Sequence, residues 1–220
     1  MAEDYLTDEQ SPDGSAVGEL DRKLKAWVRQ DLNKIREWRK EAKEDFQFYA
    51  GDQWSDEDRK ALAAQMRPAL TFNRVAPLVN AVVGSEINNR REVRYIPREA
   101  GDALANEVLT AAGEWFRDEC NAEDEESDAF EDAVVCGMGW TDTRLDFEND
   151  PDGAPVIERM DPLEMVWDCN AVKPNLVDAN RLARIREVTY EEAAELTGVK
   201  DRHKLHAAWV KSFGEQSPHD

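Results

Sequence analysis

The sequence predicts an α+β fold in which long amphipathic helices are followed by a small antiparallel sheet. Apolar residues recur at spacings of three and four through most of the first 136 residues, the period of a helix with one buried face. The Gly137-Met138-Gly139 stretch then marks a change to short alternating segments. Two of these flank Asn149-Asp150-Pro151-Asp152-Gly153, a strong hairpin turn signal. Helices first and strands afterwards is the order expected of an α+β chain.

Residues 1–18 are polar, contain Ser11-Pro12-Asp13-Gly14 and read as a flexible acidic arm. From Glu19 to Ala50 the stripe Leu20, Leu24, Trp27, Ile35, Trp38, Ala42, Phe46, Tyr49 predicts one long helix. Asp31 interrupts the stripe once, and Gly51 is placed to end the helix at C′. Thirty helical residues span ~45 Å, longer than a small globule needs, which raises the expectation of a partner subunit. Ser55-Asp56-Glu57-Asp58 opens a short helix to about Gln65. Arg67–Asn73 is expected to be extended, because the residue before Pro68 avoids the helical region. A helix from near Asn73 to Asn89 follows, with Pro77 tolerated in its first turn. Val93–Pro97 reads as a short strand, and residues 102–119 and Asp124–Cys136 as two further helices. Trp140–Phe147 and Pro155–Met160 form the hairpin, and Met165–Trp167 and Leu182–Val188 are two more strands. Thr189-Tyr190-Glu191-Glu192 matches a capping box before a helix that ends at Gly198. The chain thus divides into an arm (1–18), a helical region (19–136), a β-rich region (137–190) and C-terminal helices with a tail (191–220).

Charge is distributed unevenly. Residues 20–100 carry 17 Lys/Arg against 13 Asp/Glu, whereas residues 101–170 carry 3 against 21, a net of −18. With a total of −20, the chain is poorly suited to gripping a phosphate backbone, which requires Lys and Arg to displace counterions. The acidic middle is either a solvated face that aids solubility or a functional surface. No run of eighteen uncharged apolar residues exists, and the first twenty residues hold no Lys or Arg. Neither a membrane span nor a secretory signal is therefore expected.

The search for chemistry finds little. No Gly-rich phosphate loop, GxSxG elbow or HExxH is present. Cys120, Cys136 and Cys169 are widely separated and read as small buried or half-buried apolar residues. His203 and His206 lie three apart on a predicted helix, a spacing that could hold a metal, and His219 follows. Without matching carboxylates or cysteines they read as surface histidines. Asp146–Gly153 has only a superficial likeness to a calcium loop and reads as a polar hairpin turn. A metal-dependent hydrolase or nuclease would need Asp146, Asp161 and Asp168 to converge. No catalytic, cofactor-binding or metal-binding residue is assigned. The Arg90-Arg91-Glu92-Val93-Arg94-Tyr95 run is basic with aromatic company. It could touch nucleic acid, but pairing with the acidic middle, within or between subunits, fits the charge split better. Trp27, Trp38, Arg90, Arg91 and Arg94 are the candidate subunit-interface residues.

An ordered series of segments resembles the portal (head-to-tail connector) proteins of short-tailed phages. Phe48-Tyr49-Ala50-Gly51-Asp52-Gln53-Trp54 follows the long charged helix, then come Arg67–Val75 and Val79–Arg90. Later come Ile157–Glu164, Val166-Trp167-Asp168-Cys169-Asn170-Ala171 and Asp178-Ala179-Asn180-Arg181. Cys169 departs from the pattern, which places a proline there. The resemblance implies a homo-oligomeric ring, usually a dodecamer, at one capsid vertex of the virion. Double-stranded DNA would pass through its channel without sequence-specific binding, and capsid protein, the terminase large subunit and tail adaptor proteins would be its partners. It implies synthesis in the host bacterial cytoplasm, no catalysis, no cofactor and no membrane. The matched region corresponds to the outer wing, with the family's stem, clip and crown lacking here. An adaptor or scaffolding-type binding module that holds a basic partner is the alternative.

Overall fold

The computed structural model describes residues 16–90, 94–99, 101–147 and 150–213. The α+β expectation holds: seven helices and two small antiparallel sheets are seen among these residues. They fall into two compact units, one of residues 39–163 and one combining residues up to Trp38 with those from Glu164 onward. Helix α1 (Ala16–Ala50) supplies residues to both.

In the 39–163 unit, α1 ends as Gly51 predicts. Gly51 adopts φ +88°, its N–H donates to the Phe48 carbonyl, and the Asp52 N–H reaches back to Gln47. This pair of bonds satisfies carbonyls that the helix leaves open. α2 (Asp56–Ala64) starts at Ser55, whose Oγ accepts from the Asp58 N–H at 3.1 Å. Residues 67–74 form no regular element, and α3 (Val75–Asn88) follows. α4 (Ala103–Glu119) and α5 (Ala122–Cys136) are joined tightly through Asn121 at φ +48°. Gly137, at φ +83°, ends α5 and leads into the hairpin β1 (Trp140–Asp146) and β2 (Ala154–Met160). Trp140 pairs with Met160 and Asp146 with Ala154.

The organising element of this unit is α5, which packs on α3, α4 and both hairpin strands. Its buried Ala122, Ala129 and Cys136 meet a thin core that includes Val79, Val83, Ile157 and Met160. Burial of each such valine contributes about 1.5 kcal/mol. Gly139 lies so close to α5 that a Cβ there would stand 1.9 Å from the Ala129 carbonyl oxygen. Asp132, 3% exposed, is held by Arg159 of β2 through Nε (2.5 Å) and Nη2 (2.7 Å), so a bidentate ion pair fixes the hairpin to the helix.

In the other unit, β3 (Met165–Trp167) pairs antiparallel with β4 (Leu182–Arg184). Trp38 of α1 meets Trp167 edge-to-face, with centroids 4.9 Å apart. α6 (Tyr190–Thr197) begins at Thr189, whose Oγ1 accepts from the Glu192 N–H. The Glu192 carboxylate pairs with Arg186 instead of completing the predicted box. α7 (Arg202–Phe213) packs on α6.

Three expectations need correction. Arg94–Pro97 form no strand; the Tyr95 N–H donates to the Thr110 hydroxyl rather than to a ladder, and Val93 lies outside the described residues. The strand predicted over Leu182–Val188 stops at Arg184, because its partner β3 is three residues long and begins directly after a 3₁₀ turn at Pro162–Glu164. Among the described residues the β-structure is two separate two-stranded sheets instead of one.

Candidate functional site

The first motif cluster is a hydrogen-bonded joint in the 39–163 unit. Asn73 works in both directions: its amide donates to the Tyr49 carbonyl at 2.8 Å, and its Oδ1 accepts from the Val75 and Ala76 N–H groups at 3.1 Å. One side chain thereby secures the end of α1 and caps the start of α3. The Tyr49 hydroxyl donates to Asn80 at 3.0 Å, and the Trp54 indole N–H donates to the Leu70 carbonyl at 3.2 Å. Asp52 pairs with Arg59. The order of these residues in the sequence is therefore the wiring of one corner.

Arg90 is the hub of a second cluster, between α3 and α5. Its guanidinium donates to the Glu123 carboxylate (2.8 Å), the Glu123 carbonyl (2.9 Å) and the Ser127 hydroxyl (2.6 Å). Ser127, buried, passes its own hydrogen to Glu86 at 2.8 Å. The basic run thus meets the acidic middle within the chain at Arg90. Arg90→Met should cost about 2 kcal/mol by leaving the buried Ser127 oxygen and Glu123 short of a donor. Urea denaturation of the variant measures it.

Asp31, the interruption of the helical stripe, is the centre of a third cluster in the other unit. It is 3% exposed, accepts two hydrogen bonds from Arg181 (2.6 and 2.7 Å) and a third from the Cys169 N–H (3.1 Å). A proline at position 169 could not donate that third bond. Arg181 also faces Asp168 at 3.1 Å. Asp168, 1% exposed, accepts from Asn170 N–H (3.0 Å), Asn170 Nδ2 (2.9 Å) and Asn180 N–H (3.3 Å). Burial alone would raise the Asp31 pKa; the bonds from Arg181 and Cys169 outweigh it and hold the carboxyl below its ordinary range. The Asn170 N–H, foremost, does the same for Asp168. Burial pushes the Cys169 thiol up, so it stays protonated at neutral pH.

Among the described residues, Asp31, Asp168 and Cys169 are the one group whose ligand atoms come within 4.8 Å of one another. The Arg181 guanidinium already supplies positive charge to both carboxylates there. Asp146 and Asp161 do not belong to this group. Asp161 accepts from the Leu163 N–H at 2.8 Å, and burial holds the Arg39 pKa below its ordinary value against the opposing pull of the Asp161 charge. The convergence that a hydrolase built on Asp146, Asp161 and Asp168 needs is thus not seen among the described residues. His203 and His206 are exposed on α7, and His219 lies outside the described residues. Cys136 is buried, and Cys120 and Cys169 are half-buried, as their spacing suggested.

The other candidate interface residues are spread over both units. Trp27 is 41% exposed, with Arg181 stacked 5.5 Å above its ring. Trp38 packs on Trp167. Arg94 is exposed, and Arg91 lies outside the described residues. Sequence reasoning missed the pairing of Asp31 with Arg181: Asp31 showed only as an acid inside an apolar stripe, and Arg181 only as the end of the Asp178–Arg181 segment.

The family model described as "Phage P22-like portal protein" matches residues 25–216. The chain belongs to the P22-like phage portal protein family. It is also similar to a portal protein of Helicobacter pylori bacteriophage KHP30, at 21% identity over 151 residues. That match covers 69% of this chain and 25% of the relative, so the chain spans about a quarter of that portal protein's length. Among the described residues no helix is long and apolar enough to cross a membrane.

Proposed function

We propose that the chain is a structural subunit of a portal ring at a capsid vertex, contributing the wing region of that ring. DNA is packaged and ejected through the ring's channel, and the terminase large subunit and tail adaptor proteins dock on it, with capsid protein around it. The observation that carries this reading is the family match over residues 25–216. Two features support a structural, non-catalytic role. Large apolar side chains stay exposed on α1, α3 and α4, including Leu24, Leu78 and Trp115, as in a subunit awaiting neighbours. Residues 101–170 carry a net charge of −18, which repels duplex DNA and so suits sliding past it rather than gripping it.

Electron microscopy of the purified chain tests the proposal: rings with a central hole are expected, and a field of separate small particles opposes it. DNA retention at low salt is a second check, with weak binding expected and tight, salt-sensitive binding counting against free passage. The same acidity favours one other reading, an adaptor module that holds a basic partner. Capture from infected-cell extract separates the two, since only a portal subunit should bring down both capsid protein and terminase.

A further inference from the structure

Helix α3 is apolar around most of its circumference, yet only Val79 and Val83 are buried. A helix of that kind is normally covered on all sides. Here Leu78 is 70% exposed and Val82 47%. With Ala81 and Phe130 they line an open groove of about 760 Å³ that runs along α3 to Asn89 and Arg90. The floor is apolar with Glu86 and Arg90 at its polar end, and the flanking wall, α5, which adds Phe130 to the lining, is an acidic helix. From Ala122 to Cys136 that helix holds seven Asp/Glu and no base, and the Asp124 side chain is 83% exposed.

The same chain carries an exposed apolar ridge, with Arg181 stacked on one face of its Trp27. Leu20, Leu24 and Trp27 lie at i, i+4 and i+7 of α1 and are 54%, 47% and 41% exposed. Residues 19–30 set Arg22, Lys23, Lys25 and Arg29 against Glu19 and Asp21, which pair with Lys23 and Lys25 and leave the segment net basic. The ridge is roughly 10 Å long and the groove from Leu78 to Asn89 roughly 16 Å, at 1.5 Å per helical residue. Both surfaces stay exposed within one chain.

We propose that the Leu20–Leu24–Trp27 ridge of one copy docks in the α3–α5 groove of the next. The occupant follows from charge: an amphipathic helix with a basic flank matches an apolar floor beside an acidic wall. Residues 1–18 hold acids and no base, so the wall would repel them. Ridge and groove are different surfaces, so the contact is head-to-tail and propagates from copy to copy, closing into a ring when the rotation allows. This inference rests on the portal-ring reading and names the surfaces that build it.

The test uses the full chain and two substitutions at exposed positions, Leu24→Glu on the ridge and Leu78→Glu in the groove. Native mass spectrometry and sedimentation read the assembly, and circular dichroism verifies that both variants fold as the wild type does. Each variant alone should lose self-association by on the order of 100-fold, as when a central interface residue is removed. An equimolar mixture retains one intact ridge and one intact groove per pair, so it should form a 1:1 dimer and nothing larger. Variants that assemble like the wild type, or a mixture that stays monomeric while the wild type assembles, overturn the proposed contact and leave the ring reading standing. A wild-type chain that is monomeric at every concentration overturns both.

Discussion

Gly139→Ala should lower the thermal midpoint by about 6–12 °C, given roughly 3 kcal/mol for a forced core overlap and 2–4 °C per kcal/mol in a chain of this size. The added Cβ would lie 1.9 Å from the Ala129 carbonyl oxygen and 2.9 Å from its carbon. These are backbone atoms of the central helix, so no side chain can rotate away to relieve the overlap. Either α5 bends or the hairpin lifts, and lifting it pulls Arg159 from the buried Asp132. Gly84→Ala is the control. It sits inside α3 with nothing within 4 Å of the new methyl. That change should stabilise the chain by roughly 0.5–1 kcal/mol, the ordinary preference of a helix for alanine. Calorimetry at concentrations where the chain is monomeric reads both. Equal effects at the two glycines would mean that the hairpin does not rest on α5 as described.

The contrast between these glycines also shows what kind of information the sequence carries in readable form. Local signals were legible. Gly51 ends α1, Ser55 and Thr189 open helices, and the Asp150–Gly153 turn closes the hairpin with a Gly153 N–H to Asp150 carbonyl bond. Each of these depends on a backbone conformation or a bond within a few residues. Gly139 was read as part of a helix-to-strand turn; its close approach to Ala129 depends on packing, which no local pattern encodes. Asp31 was harder still, since its partner Arg181 lies 150 residues away. In the sequence it is simply a flaw in an apolar stripe. The strand predicted at Val93–Pro97 failed for a related reason. Alternation describes one strand, and a strand needs a second to pair with; among the described residues no strand pairs with residues 94–97. Of the candidate interface residues, Arg90 met the expected acids, but the number of its bonds within the chain was invisible beforehand.

Arg181→Met should cost about 3 kcal/mol at pH 7 and reverse the pH dependence of the unit that holds Asp31. Removing one partner of a buried ion pair is expensive because the other charge is left uncompensated. The magnitude is set toward the lower end because the Arg181 side chain is 25% exposed. Two carboxylates are stranded here: Asp31 and Asp168 offer oxygens within 4.8 Å of each other and are almost fully buried. In the wild type both titrate below their ordinary range. The stabilisation they contribute is complete above about pH 4, the unfolded-state value for Asp, and disappears as pH falls through the lower folded-state values. Without the guanidinium, burial and mutual repulsion push at least one of the pair above that unfolded value. The folded variant then binds a proton that the unfolded chain does not, so its stability increases as pH falls from 7 toward 5. Cys169, also beside the pair, stays a neutral thiol across this range and adds no opposing term. Urea midpoints at pH 7 and pH 5, taken as the difference between variant and wild type, give the answer directly. The deficit should be largest at pH 7 and shrink at pH 5. A deficit that is constant with pH would mean that Arg181 acts through packing on Trp27 rather than through charge, and that the Asp31–Asp168 pair is not the electrostatic centre of this unit.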